Sequence, residues 1–169
     1  VMDLSTKKHE TYIFDAILVC NGHYFSPIIP FFEGQSTFEG KQIHTHDYRR
    51  PEAFGNEIVL IIGSGPSGTD CVIEISRFAR QVIWSHHVES LNATHFGENV
   101  IQKPDIKEIR KNGVCFTDGS YHECTAIIYA TGYRYTLPFL SVDCGIACNG
   151  DNVQPLFKHC LNINRPTMA

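Results

Sequence analysis

The chain has 169 residues, a formal charge of −4 and 43 % apolar residues, enough for one good-sized domain and its core. The acidic balance argues against nucleic acid or an anionic membrane surface as the main partner. No apolar run approaches the about 18 residues of a membrane span, and no stretch has the basic start and apolar core of a secretory signal.

Tyr12–Cys20 reads as a buried strand bounded by Asn21-Gly22, and the region 26–38 reads as loop, punctuated by Pro27, Pro30 and Gly34. Glu57–Ile62 is a second apolar strand. Pro66–Ala79 fits an amphipathic helix with Pro66 in its first turn, where a missing N–H costs nothing. Its Cys71, Val72, Ile75 and Phe78 recur at helical spacing and should face a sheet. Gln81–Ser85 is the third strand, which completes a β-α-β unit and demands a parallel sheet with a right-handed crossover. Asn112-Gly113 and Asp118-Gly119 are hairpin turns that divide 105–125 into short antiparallel strands. Cys124–Ala130 is a last buried strand, ending at Thr131-Gly132. The stretch 16–22 echoes 126–132: each is an apolar strand that ends in a small polar residue and Gly. The pair bracket the β-α-β unit, as the crossing strands of an inserted domain would. Two unrelated buried strands would share the same composition.

The seven cysteines, at 20, 71, 115, 124, 144, 148 and 160, are odd in number and lack C-x-x-C. They read as a reduced set, mostly small buried hydrophobes. Cys144, Cys148, His159 and Cys160 come nearest to a metal set, but their spacing is poor for zinc.

The chemistry-bearing motif is Gly63-Ser64-Gly65-Pro66-Ser67-Gly68, a G-x-G-x-x-G between a strand and a helix. In that context Gly63 allows the tight turn, Gly65 lets the backbone approach a pyrophosphate, and Gly68 lets the helix pack closely on the strand. The helix N-terminus then presents unpaired N–H groups and a positive dipole end to the phosphates. In NAD sites an acid about 20 residues after the first glycines binds the ribose 2′-hydroxyl. Here the third strand ends Ser85-His86-His87, with Glu89 the nearest acid in sequence. Ser and His can donate to a 2′-phosphate, so the position favours NADP over NAD, although the usual Arg is absent. The plainer alternative is that His86 and His87 are simply exposed turn residues.

A second motif, Phe38, Gly40, His44 and Tyr48 in F-x-G-x-x-x-H-x-x-x-[FY], resembles the identifying sequence of the flavin-containing monooxygenases. Asn21-Gly22-His23-Tyr24, Ala130-Thr131-Gly132-Tyr133, Leu137–Leu140 and Arg165–Ala169 are similar to further segments of that family, and the Asn-Gly-His-Tyr form looks most like its insect members. Related Baeyer–Villiger enzymes carry Trp where this chain has Tyr48.

The resemblance implies an α/β fold in which a Rossmann-like NADPH-binding domain with a β-meander, about 53–125, is inserted between two pieces of an incomplete FAD-binding domain, 1–52 and 126–169. It implies NADP(H) and FAD as cofactors and O2 as co-substrate. It also implies an N,N-dimethylaniline monooxygenase type of activity of the kind used in xenobiotic metabolism. In such enzymes a C4a-hydroperoxyflavin oxygenates a soft nitrogen or sulfur nucleophile, and the protein is cytoplasmic or associated with the endoplasmic reticulum. His44, Asn21, Thr131 and Gly132 become candidate cofactor contacts, each against a plain structural alternative.

The family's first G-x-G-x-x-G, for FAD, does not occur in this sequence, nor does the upstream region with its active-site asparagine, a residue distinct from Asn21. The chain therefore reads as a fragment that holds FAD poorly and does not turn over alone. The alternatives are a non-catalytic NADP-binding module and a Baeyer–Villiger or N-hydroxylating relative. Gly34–Lys41 only superficially resembles a P-loop, there is no Tyr-x-x-x-Lys pair, and Asn92-Ala93-Thr94 reads as a chance glycosylation triplet.

Overall fold

The apolar runs at 58–62 and 126–129 form neighbouring strands in the middle of one parallel sheet. In chain order the regular elements around it are β1 (Lys41–His44), β2 (Ile58–Ile62), α1 (Pro66–Ile75), β3 (Gln81–Ser85), β4 (Val100–Lys103), β5 (Ile106–Arg110), β6 (Gly113–Phe116), β7 (Tyr121–Glu123) and β8 (Ala126–Tyr129). The five-stranded sheet has the order β1-β8-β2-β3-β4 and every pairing is parallel. This computed structural model describes residues 1–88 and 96–169, so Glu89 and the triplet at 92–94 lie outside the described residues.

A parallel sheet must be covered on both faces, which is why its central strands read as unbroken apolar runs. One face, carrying Val59, Ile61, Val82, Trp84, Ala126 and Ile128, packs on Cys71, Val72, Ile75 and Ala79 of α1 and its following turn. The other, carrying Leu60, Ile62, Ile83, Ile127 and Tyr129, packs on Ile109, Val114 and Phe116 of the β5-β6-β7 meander. The layers are thus helix, sheet and meander. The meander turns at 111–112 and 117–119: Asp118-Gly119 stands in the second turn, whereas the first is Lys111-Asn112 and Gly113 already pairs with Arg110 as the first residue of β6.

Two strands were hidden in the sequence. β1 (Lys-Gln-Ile-His) and β4 (Val-Ile-Gln-Lys) lie at the two edges of the sheet and lack an apolar run. The helix is shorter than the expected 66–79, because α1 ends at Ile75. The Asn99 amide donates to the carbonyls of Ser76 and Ala79 at 2.9 and 3.0 Å, closing the following turn. That turn rotates Ala79 into the core and leaves Phe78 42 % exposed, against the helical-spacing expectation.

The motif around Phe38 is what attaches β1. Phe38 is buried, and a Cβ on Gly40 would lie 2.3 Å from the Thr125 carbonyl oxygen and 2.6 Å from the Phe38 ring. Tyr129 of β8 donates its hydroxyl to Gln42 at 2.6 Å and accepts from the Gln35 amide at 2.9 Å. The Tyr48 hydroxyl donates to Glu74 of α1 at 2.8 Å, while its ring stacks on Phe54.

The chain divides into two compact units, Pro27–Tyr133 and the pair of end segments Val1–Ser26 with Arg134–Ala169. The sheet-bearing unit is wider than 53–125 because β1 and β8 are integral to the sheet. In the second unit Tyr12–Cys20 is not a buried strand. Ile17 and Val19 make parallel backbone bonds to 167–169, but Ile13 and Leu18 are 98 % and 76 % exposed. Composition alone promised burial, and no described element covers this segment. The echo between 16–22 and 126–132 therefore joins two stretches in different structural settings. The rest of this unit is held by two-residue ladders, 147–148 with 153–154 and 156–157 with 161–162, and by buried Asn162, whose amide donates to the Cys144 carbonyl.

All seven cysteines are unpaired, and only Cys71 and Cys124 are buried, so the expected mostly buried set is not found. Burial pushes those two thiols up, to about 11 and about 12. Among the described residues no helix is long and apolar enough to cross a membrane.

Phe116, fully buried between meander and sheet, is the sharpest probe of this layering. Phe116→Ala should lower unfolding free energy by about 3–5 kcal/mol in urea titrations, while Ile13→Ala should stay within about 0.5 kcal/mol.

Candidate functional site

The site is built where β2 stops. Gly63 takes φ +109° there, a conformation closed to most side chains, and a Cβ on it would lie 2.4 Å from the Ala130 carbonyl oxygen. Its N–H donates to the Ser85 carbonyl and its own carbonyl accepts from the Trp84 indole N–H, both at 2.9 Å. Gly68 is equally constrained, since its Cβ would meet the Gly63 carbonyl oxygen at 2.2 Å. Gly65 differs: it has ordinary extended geometry (φ −68°, ψ 177°), and a Cβ there would meet nothing within 4 Å. The first and third glycines are thus required by the protein's own packing, and the second opens onto free space.

α1 begins at Pro66 with no side-chain cap and no acid in its first turn. Its first N–H groups have no intrahelical partner and its dipole end is positive, so the loop offers an anion donors and a favourable field. Ser64 is half-buried, while Gly65, Pro66 and Ser67 are exposed. The chain runs from β2 to β3 on one side, and β8 lies on the other. The crevice outside the carboxyl ends of β2 and β8 is therefore the topological switch point, where open α/β sheets bind ligands.

At the end of β3 the structure separates the three expected phosphate donors. Ser85 is buried and its hydroxyl donates to the Pro104 carbonyl at 2.8 Å. His86 is 8 % exposed, shares a hydrogen bond of 2.8 Å with the Gln102 side chain, and stands edge-on to Trp84. Of the three only His87 faces solvent. Its Nδ1 lies 3.8 Å from an Asp105 carboxylate oxygen, an acid far off in sequence that the strand end alone could not reveal.

Thr131 and Gly132 follow β8 and are occupied with backbone: the Thr131 hydroxyl donates to the Ile28 carbonyl, and the Gly132 carbonyl accepts the Ile28 N–H at 2.9 Å. His44 ends β1, opposite Tyr129. It is 2 % exposed, its Nδ1 accepts the His46 N–H at 3.0 Å, and the Tyr133 ring meets it edge-on. Its proton then sits on Nε2, on the buried side of the ring. Asn21 belongs to the other unit and lines a cavity of about 280 Å³ with His23, Tyr135, His159 and Cys160. Among the described residues no three His, Cys, Asp or Glu side chains are grouped to hold a metal.

Sequence reasoning missed Trp84, Ala130 and Asp105. Trp84 carried a usable sign: it is the one tryptophan, in a strand beside the loop, and a buried indole N–H needs an acceptor. Ala130 and Asp105 carried none, because their roles are purely spatial.

The sequence profile of one family, flavin-binding monooxygenase-like proteins, matches residues 1–94 and 88–169. Senecionine N-oxygenase of Tyria jacobaeae is 38 % identical over 99 % of this chain and 38 % of its own length. Flavin-containing monooxygenase FMO GS-OX-like 1 of Arabidopsis thaliana is 37 % identical over 87 % of this chain and 32 % of its own. Among solved structures, S-allyl-L-cysteine S-oxygenase from Allium sativum superposes with a TM-score of 0.76 at 34 % identity, covering 86 % of this chain and 34 % of its own. Tmm from Pelagibacter sp. strain HTCC7211 superposes at 0.86 over 99 % of this chain and 38 % of its own, at 24 % identity, a likeness of fold. The chain thus spans well under half the length of these relatives.

Burial holds the His44 imidazole below its usual pKa, with the nearby His46 acting in the same direction and the Gly132 carbonyl and Asp47 opposing. The unfolded imidazole takes its proton near about pH 6.5 while the folded one stays neutral. The unfolded state then binds more protons, so stability falls as pH drops through and below that value. Urea midpoints should decline from about pH 7.5 to about pH 5.5, and His44→Gln should show the shallower decline.

Proposed function

The chain belongs to the flavin-binding monooxygenase-like family, and from that premise we propose that Pro27–Tyr133 is the NADPH-binding part of a flavin-dependent oxygenase of soft nitrogen or sulfur nucleophiles. The observation that carries this is the open space at Gly65, in front of an uncapped helix N-terminus at the switch point of the sheet. A dinucleotide pyrophosphate fits that cradle, with the first-turn N–H groups of α1 as donors. His87 is the solvent-facing group of this strand end that would meet the adenosine ribose; the Asp105 carboxylate beside it opposes a 2′-phosphate, so the choice of NADPH rests on the family and not on this strand end. NADPH, when bound, supplies a hydride for reduction of the flavin. The protein's part is to hold the pyrophosphate and orient the dinucleotide along the edge of the sheet.

The division of the chain supports an inserted arrangement. The end segments 1–26 and 134–169 form one unit, and the sheet unit lies between them in sequence. We read the end segments as parts of the flavin-binding domain. The residues present do not fit the flavin itself: among the described residues α1 is the single α-helix, so no second helix N-terminus offers its pyrophosphate a cradle. The small substrate and O2 would be handled where that flavin sits, in a protein that is cytoplasmic or associated with the endoplasmic reticulum. Senecionine N-oxygenase and S-allyl-L-cysteine S-oxygenase, by their names, act on a nitrogen and a sulfur centre, and both kinds of nucleophile are soft. Tyr48, bound to Glu74, stands where Baeyer–Villiger relatives carry Trp. The single cradle also favours a second reading for this polypeptide alone, a non-catalytic NADP-binding module.

Gly65→Val tests the site directly, because the new side chain meets no protein atom at its Cβ and its backbone is unstrained. The variant should keep the wild-type melting temperature and weaken NADP⁺ at least about 100-fold in calorimetry, as expected if the loop must touch pyrophosphate. Unchanged affinity would remove the site. The purified chain should show no flavin absorbance and no NADPH oxidation with added FAD. Robust turnover would show that a flavin cradle exists within these residues.

A further inference from the structure

Trp84 is the one tryptophan of the chain and is fully buried. It heads the largest fully buried side chains and packs beside α1, so its bulk serves the core, but its polar edge is not a packing requirement. What only an indole supplies is a donor at the ring edge, and here it is spent on the Gly63 carbonyl at 2.9 Å. That carbonyl belongs to the residue at φ +109° that turns the chain from β2 into the loop. It also lies directly under Gly68, where a Cβ would come within 2.2 Å of it. With the Gly63 N–H held by Ser85, both polar backbone groups of the hinge glycine are fixed by β3.

The same ring reaches the other end of the crevice. His86 stands edge-on at a centroid distance of 4.9 Å and is itself anchored to Gln102, and Phe96 also meets the indole edge-on at 4.9 Å. His86 immediately precedes His87, so the indole touches both the turn that shapes the phosphate loop and the strand end that faces the ribose.

We propose that Trp84 is a positioning residue for dinucleotide binding, holding the Gly63 carbonyl so that the loop 63–68 is already in its phosphate-facing shape before the ligand arrives. The proposal rests on the reading of that loop as a dinucleotide site. Without the indole N–H the carbonyl loses its partner, and the turn samples other geometries that binding must then reorder.

Because the tryptophan is single, biosynthetic replacement changes one position in the 169-residue chain. Benzothienylalanine keeps the shape of the ring and deletes its N–H, whereas 5-fluorotryptophan keeps the N–H. Calorimetric titration with NADP⁺ should show roughly five- to tenfold weaker binding for the benzothienyl protein, the worth of one neutral hydrogen bond. The fluorinated protein should bind as the wild type does, and Trp84→Phe should follow the benzothienyl protein. In the wild type, the Trp84 emission maximum should stay where it is when NADP⁺ is added, because the ring is bonded to a loop that is already in its binding shape. A benzothienyl protein with lowered melting temperature and unchanged Kd would reduce Trp84 to a packing role and overturn the proposal. An emission maximum that shifts with the calorimetric Kd would overturn it too, even if neither replacement folds, because the loop would then be reordered by the ligand. If the wild type binds no NADP⁺ at all, the dinucleotide reading fails first and the positioning role with it.

Discussion

A side chain at Gly68 would place its Cβ 2.2 Å from the Gly63 carbonyl oxygen, and one at Gly63 would sit 2.4 Å from the Ala130 carbonyl oxygen. These two approaches set how closely α1, β2 and β8 converge at the carboxyl edge of the sheet. Because no Cβ intervenes, the helix starts almost on top of the strand end and its N–H groups open onto the crevice. Because Gly63 is left-handed, the chain makes that turn without a longer loop. The free space at Gly65 is the consequence: the loop is pressed down on both sides of it and left open in the middle.

The rest of the sheet unit keeps that convergence rigid. β3 fixes both backbone groups of Gly63 through Ser85 and Trp84. β8 lies against β2 along its whole length and is followed by Ala130, whose small side chain would stand 3.3 Å from a Cβ on Gly68. The edge strand β1 is held by its parallel ladder to β8, by Ile43 against the core and by polar side chains. Tyr129 joins Gln35 and Gln42, and Tyr48 reaches Glu74 of α1. The motif from Phe38 to Tyr48 is thus explained mechanically: a buried Phe, a Gly that makes room for its ring, a buried His that receives the next turn, and a Tyr that ties the strand to the helix.

The face opposite α1 is covered by a meander, which leaves α1 as the single α-helix among the described residues. A β-meander covers a sheet with no helix dipole of its own, so the unit has one phosphate-facing edge.

What the sequence by itself determined is whatever depends on local chemistry. The central strands were legible because strands covered on both faces must be apolar throughout. The loop was legible because only glycine satisfies both its left-handed turn and its close approaches, and the meander because Asp118-Gly119 marks one tight turn and Asn112-Gly113 marks the other to within a residue. The family was legible because its motifs stand at fixed spacing. Tertiary structure alone decided the rest. It placed the polar edge strands, exposed Phe78 where the helix ended early, and left Tyr12–Cys20 uncovered although its composition matches β8. It turned Ser85 and His86 inward, set Asp105 beside His87, and brought the Trp84 donor to the Gly63 carbonyl. Each of these depends on which atoms a side chain meets across the fold, and a residue's identity carries no record of its neighbour's distance.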